Sequence, residues 1–171
     1  MSQTKFIQIF KENQNLYQDL LPEWIAYLKN VFPQLRKDDE KEATAEERTN
    51  DLNRRINIQG KRPDMHFELF YYDDTLIGFS NFAIDTGGIS GLIPKGYGTI
   101  MEFYISPKFR RKGYGKLFYE HIEETLKKDG AQYMYLTSDT AEGVPFWCKM
   151  GFIKTDKIAP DNKDPIFIKN I

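Results

Sequence analysis

Residues 99–128, "TIMEFYISPKFRRKGYGKLFYEHIEETLKK", constrain the fold more than any other part of the chain. The apolar run 99–105 has the strongest strand character in the sequence. It passes into a short basic turn, and the turn opens an amphipathic helix over about 113–129. Leu117, Phe118, Ile122, Thr125 and Leu126 recur at helical spacing and form the expected buried stripe. Asp129-Gly130 ends the helix, and "AQYMYLT" (131–137) reads as the next strand. Whatever else folds must be built around a strand, a cationic turn, a helix and a second strand.

The flanking segments supply the remaining elements. "KFIQIF" (5–10) alternates as a first strand, and Leu16, Leu20, Trp24, Ile25 and Leu28 fall at helical spacing behind it. Pro22 predicts a kink or a break between two helices there. The charged run from Arg36 to Ile56 is expected to be a solvated helix from Thr44, with Thr44 and Glu47 at capping-box spacing. "MHFELFYYDDTLIGFSNFAID" reads as a hairpin turning near Asp73-Asp74, and "TGGISGLIPKGYG" (86–98) as a long loop of a kind that is often functional, such as a lid over an acceptor. "GVPFWCKMG" predicts a short helix with Pro145 in its first turn and Gly151 at its end; "FIKTDKI" and "PIFIKN" close the chain as strands. The order predicts one α/β domain over residues 1–171 with a mixed sheet.

Bulk properties exclude several classes. The hydrophobic content is 40% and the aromatic content 15%, enough to build a core and not a disordered chain. The net charge of −1 argues against a general nucleic-acid binder. Cys148 is the only cysteine, so no internal disulfide forms. "MSQTKFIQIF" lacks the pattern of a secretory signal and no apolar run is long enough to span a membrane, so the expected location is the cytoplasm.

Against that near-neutral background, Lys108, Arg110, Arg111, Lys112 and Lys116 crowd into nine residues. A helix start presents unpaired N–H groups and the positive end of the dipole, both of which favour phosphate. Gly113 and Gly115 allow a ligand to approach the backbone, and the cationic side chains add charge-assisted contacts. The turn therefore reads as a pyrophosphate cradle. A P-loop is absent, and Phe118 stands where a dinucleotide fingerprint needs its third glycine.

"FYISPKFRRKGYGKLFYEHI" resembles the central [QR]-x-x-G-x-[GA] motif of the GCN5-related N-acetyltransferases, with Arg110, Gly113 and Gly115 in the fixed places. "EFYISP" resembles that family's fourth strand, and "PFWCKMGF" (145–152) is similar to its "FYxKxGF" segment. The resemblance implies an acyl-CoA N-acyltransferase fold: a mixed, mostly antiparallel sheet flanked by helices and splayed between strands 4 and 5. It implies that the amides of Arg111, Lys112, Gly113, Tyr114, Gly115 and Lys116, with Arg110, hold the coenzyme A pyrophosphate. Phe103, Tyr104 and Ile105 would pair with the pantetheine arm, and the Ile105 N–H would polarise the thioester carbonyl. Thr140 takes the place of an Asn that contacts the same arm.

Glu102, the lone charge in "TIMEFYI", is the candidate catalytic residue, as a general base or as an anchor for a cationic amine; a Glu at an exposed strand end or paired with a basic neighbour is the alternative. The family's Tyr acid is replaced by Trp147, whose indole cannot donate a proton near neutral pH. Ser138, Thr140, Cys148, Tyr104 or a water are the substitutes. Cys148 is expected to be a small buried residue rather than a nucleophile, and His66 and His121 suggest no metal site.

The reading is an acetyl-coenzyme A-dependent N-acetyltransferase that acts on a primary amine by direct transfer, with no metal. The expected partner is a small-molecule amine, with a protein amine second, no nucleic acid and no membrane, and a homodimer compatible with the sequence. Glu102 and Asp139 tilt the acceptor toward a cationic small molecule. The alternative is a catalytically silent coenzyme A-binding regulatory module.

Overall fold

The computed structural model describes residues 3–35 and 44–171. Part of the expected charged segment, residues 36–43, lies outside the described residues. Seven strands join in one mixed sheet, order β1-β2-β3-β4-β5-β7-β6. By packing, the chain falls into two compact units, 1–80 with 103–109, and 81–102 with 110–171. Strands β3 (Thr75–Ile84) and β4 (Gly98–Ile105) each contribute to both units.

The first unit holds β1 (Thr4–Gln8), α1 (Gln14–Leu35), α2 (Ala45–Asn57) and β2 (Met65–Tyr72). β1 pairs antiparallel with β2, from Thr4 opposite Tyr72 to Gln8 opposite Glu68. Asp73, at φ 51°, makes the tight turn between β2 and β3 where the Asp-Asp pair was expected to turn the chain. The predicted capping box is present: the Thr44 hydroxyl accepts from the Glu47 N–H, and the Glu47 carboxylate accepts from the Thr44 N–H at 2.7 Å.

Pro22 does not break the helix: α1 is continuous from Gln14 to Leu35. Proline removes one backbone hydrogen bond and crowds the preceding turn, at a cost of about 3 kcal/mol. Burial on the same helix offsets that cost, since Leu20 and Trp24 are fully buried and Leu28 nearly so. Trp24 is the hub. Its ring packs on Tyr27, Phe67 and Phe79, and its indole N–H donates to the Arg48 carbonyl of α2 at 3.1 Å.

The second unit holds the remainder of β3 and β4 with α3 (Tyr114–Lys128), β5 (Tyr133–Thr137), α4 (Gly143–Lys149), β6 (Ile153–Ile158) and β7 (Pro165–Asn170). β5 and β6 both pair antiparallel with β7. A Cβ on Gly98 would lie 3.0 Å from Leu126 and 3.3 Å from Met134, so the first residue of β4 lets α3 sit close on the sheet. The buried face of α3 is Phe118, Tyr119, Ile122 and Leu126. Leu117, expected in that stripe, is 40% exposed, because the face is rotated toward Tyr119.

Glu123 ties α3 to β7. Its carboxylate accepts from Lys169, Tyr119 and Lys127, and Lys169 also donates to the Tyr119 hydroxyl at 2.9 Å. Burial works to raise the Glu123 pKa, but these hydrogen bonds and the Lys169 charge overcome it and hold the group at about 2. Burial and the bond to Glu123 push the Tyr119 hydroxyl well above its ordinary range.

Two outcomes follow from this packing. Trp24→Ala lowers stability by about 3–5 kcal/mol. Trp24→Phe falls between it and wild type, because the Arg48 carbonyl loses its donor; urea unfolding measures both. A carboxyl depressed in the folded state gives stability that is complete above its unfolded pKa and lost as the pH falls toward the folded one. The stability difference between wild type and Glu123→Gln therefore shrinks as pH falls from 4.5 to about 2. Urea midpoints across that window check it; a difference that does not change with pH is the contrary result.

Candidate functional site

The turn before α3 is built from left-handed backbone. After a short 3-10 turn (Pro107–Phe109), Arg111 has φ 59° and Gly113 has φ 89°. Backbone that visits the left-handed region at such a turn folds its N–H groups into an anion-binding concavity. Gly113 is the N-cap of α3 and has no side-chain cap bond among the described residues. A Cβ on Gly113 would meet nothing within 4 Å, so the space above the helix start is open. Arg111, Lys112 and Lys116 are exposed around it, and Lys116 lies 3.5 Å from Glu120. The arrangement suits a pyrophosphate: helix dipole, concave backbone and cations converge.

Arg110 lies beside the turn, and its guanidinium donates to Glu142 at 3.0 Å. Glu142 is the residue before α4, so the pair links the two helix starts within the second unit. Thr140 is close by, with its hydroxyl accepting from the Gly143 N–H at 3.0 Å and its carbonyl from the Val144 N–H. Thr140 thus closes the first turn of α4.

The second element is a gap in the sheet. β4 pairs with β5 in parallel through Gly98 opposite Met134 and Thr99 opposite Tyr135. β4 runs on to Ile105 and β5 to Thr137, so the recorded pairing ends before either strand does. Glu102 lies on β4 a short way beyond the last pair and is buried, with 9% exposure. That corrects the exposed-strand-end alternative for this residue. Phe103, Tyr104 and Ile105 continue β4 in the first unit. There Tyr104 is buried, with its hydroxyl donating to Glu23 at 3.0 Å and its ring against Phe79 and Tyr27.

Among the substitute acids, Ser138 is buried and Tyr104 is tied to Glu23. Trp147 is core, in edge contacts with Tyr119, Phe146 and Phe152. Cys148 is exposed, which overturns the expectation of a buried residue. Trp147 turns inward on α4, and the next residue, about 100° further round the helix, faces solvent. His66 lies 3.8 Å from Glu68 in β2, and His121 is half-buried on α3.

Sequence reasoning missed the wall beside the gap. A pocket of about 550 Å³ opens over Thr99 and Met101 of β4 and Tyr135 and Thr137 of β5, between the loops at 88–90 and 160–162. Asp85 fixes the first loop. One carboxylate oxygen accepts from the N–H groups of Gly87 and Gly88, both at 2.9 Å, and the other from the Tyr135 hydroxyl at 2.7 Å. Burial, and then that bond, push the Tyr135 hydroxyl up to about 12. The 86–98 loop is also pinned by Ile89–Ile93 backbone bonds and by Lys157 donating to the Leu92 carbonyl. Asp followed by x-Gly-Gly was the available signal, a side-chain turn before residues free in φ.

The acetyltransferase (GNAT) family model matches residues 14–152. Among solved structures, the PaiA N-acetyltransferase of Thermoplasma acidophilum in complex with coenzyme A is 20% identical, with 99% of each chain covered and a TM-score of 0.69. PH1933 from Pyrococcus horikoshii OT3 is 18% identical, with 99% of each chain covered and a TM-score of 0.70. An acetyltransferase from Thermus thermophilus is 13% identical over 98% of this chain and 97% of its own, at a TM-score of 0.69. These likenesses describe the fold. No curated protein matches the sequence.

The left-handed turn sets one expectation. Gly113→Ala puts a Cβ at φ 89°, where an L-residue is strained by about 1–2 kcal/mol. Its coenzyme A dissociation constant, measured by calorimetry, rises about tenfold or more, while unfolding stays cooperative. Unchanged affinity would place the polyanion elsewhere.

Proposed function

The chain belongs to the acetyltransferase (GNAT) family, and from that premise we propose that it transfers an acetyl group from acetyl-coenzyme A directly to a primary amine. The observation that carries this reading is the left-handed Arg111–Gly113 turn at an uncapped helix start, set among cations in a chain of net charge −1. Arg110, Arg111, Lys112, Gly113, Tyr114, Gly115 and Lys116 hold the pyrophosphate, as charge, concavity and dipole all favour. Phe103, Tyr104 and Ile105, with Thr140, are proposed for the pantetheine arm. When bound, acetyl-coenzyme A supplies an activated thioester.

The chemistry asks four things of the chain. A bond forms from the amine nitrogen to the acetyl carbonyl carbon, and the carbon–sulfur bond breaks. One proton leaves the nitrogen and one arrives on the sulfur. Glu102, buried a short way past the last β4–β5 pair, is the residue we propose takes the first proton, directly or through a water. For the second, the indole of Trp147 has no acidic proton and the Tyr104 hydroxyl donates to Glu23; we propose that solvent protonates the sulfur, with Ser138, Thr140 and Cys148 as the remaining side-chain candidates. A thiolate is a good enough leaving group to depart without a dedicated acid. A small-molecule amine is the acceptor in this reading, and a pocket of about 550 Å³ flanked by two loops beside the gap supports it.

Thiol release across an amine panel with acetyl-coenzyme A tests the proposal. Glu102→Gln lowers kcat about 100-fold or more, the usual contribution of a general base, and leaves coenzyme A affinity within about twofold. Tight coenzyme binding with no turnover on any amine would instead make the protein a silent coenzyme-binding module.

A further inference from the structure

One anion already stands in the cationic turn. Arg110 donates from its Nη1 to an oxygen of Glu142 at 3.0 Å, and the two residues lie 32 apart in sequence within the second unit. The pair joins the turn before α3 to the residue that precedes α4. It is not shielded: the side chain of Arg110 is 37% exposed and that of Glu142 70%. An ion pair so exposed contributes little to stability, because water and salt screen it and two long side chains must be held still.

The start of α4 does not use this carboxylate either. Glu142 is the N-cap residue, yet its side chain accepts no capping bond among the described residues. The Thr140 hydroxyl accepts from the Gly143 N–H instead. Lys116, by contrast, is matched by Glu120 one turn further along its own helix, an ordinary surface pair. Glu142 is therefore a negative charge drawn to the turn from another element, and its partner there is a cation of the proposed cradle.

We propose that Glu142 competes with the coenzyme's phosphates for Arg110, so that binding exchanges a carboxylate for a phosphate on one guanidinium and the carboxylate's return assists release. The inference rests on the cradle part of the proposed function and not on acetyl transfer. A guanidinium suits carboxylate and phosphate oxygens alike, so both anions seek the same donors. The pyrophosphate brings the larger charge and has further partners in Arg111, Lys112 and the N–H groups of the left-handed turn, so it wins the exchange. Glu142 narrows the margin by which it wins.

The test measures coenzyme A binding to the full-length protein by calorimetry. Glu142→Gln keeps the size of an exposed side chain and removes its charge, so the urea midpoint stays close to that of wild type. The dissociation constant falls about threefold or more, the scale of one solvent-exposed ion pair. The dissociation rate, followed by displacement in stopped flow, falls with it. High salt narrows the gap between wild type and variant, since screening weakens the competitor. In the Arg110→Gln background, Glu142→Gln gains less than half as much on a logarithmic scale, because the contested donor is gone.

Affinity that is unchanged or weaker in Glu142→Gln overturns the proposal; the weaker result makes the carboxylate a support that orients Arg110 for phosphate. A gain equally large without Arg110 also overturns it, because Glu142 then acts as a general repulsive charge. Tighter binding that comes from faster association alone overturns the role in release. Each of these results leaves the cradle standing, since coenzyme A still binds. No coenzyme A binding in wild type removes the cradle and the competition together. Glu142-dependent binding with no turnover on any amine keeps the competition and removes the enzyme.

Discussion

The early end of pairing between β4 and β5 is the constraint on which the site depends. Two parallel strands that run on after Thr99 and Tyr135 without a recorded partner in each other leave the sheet open within its own plane. A sheet tolerates this only where something else meets the backbone, and an extended ligand that pairs as an added strand is one known solution. Three features converge here in the second unit. Glu102 is buried a short way past the last pair, the pocket opens over the same strand ends, and α3 is held close to β4 by the absence of a side chain at Gly98. Glu123 and Lys169 then fix α3 to β7, so the helix whose first turn forms the proposed anion cradle is anchored toward its other end.

The part of this that the sequence disclosed was the part carried by neighbours in the chain. The strand, the basic turn and the helix lie within thirty residues, and each announces itself through periodicity, charge and glycine. The Thr44–Glu47 box was readable for the same reason, since both its bonds are local. Pro22 misled because the helix continues on tertiary burial of Leu20 and Trp24, which no window around the proline reveals. Leu117 and Cys148 misled for a narrower reason: a helix face defined by spacing alone is uncertain by about one residue, and 100° of rotation exchanges buried for exposed.

The pocket was not readable at all. Its walls come from residues 88–90 and 160–162, its floor from two strands, and the bond that fixes it joins Asp85 to Tyr135 across fifty residues. The 86–98 segment announced a long loop through its five glycines, and such composition suggests a lid. Asp85, the Ile89–Ile93 bonds and Lys157 make it a pinned wall instead. Glycines here serve close approach: a Cβ on Gly88 would collide with the Ile93 carbonyl.

A net charge of −1 conceals a local cationic turn in the second unit, where Arg110, Arg111, Lys112 and Lys116 gather at the start of α3. The proposed reaction changes the charge of one substrate only. Acetylation turns an ammonium-forming amine into a neutral amide, so the product carries one positive charge fewer than the acceptor. Any carboxylate facing the acceptor would hold the unmodified amine more strongly than the acetylated one, and that difference would favour release of the product. The same logic does not apply to the coenzyme, whose phosphates keep their charge through the reaction. Its release must come from weak contacts in the gap or from exchange at the open, solvent-facing cradle above Gly113. Under the proposed reaction, electrostatics would clear one side of the site after each transfer and exposure the other.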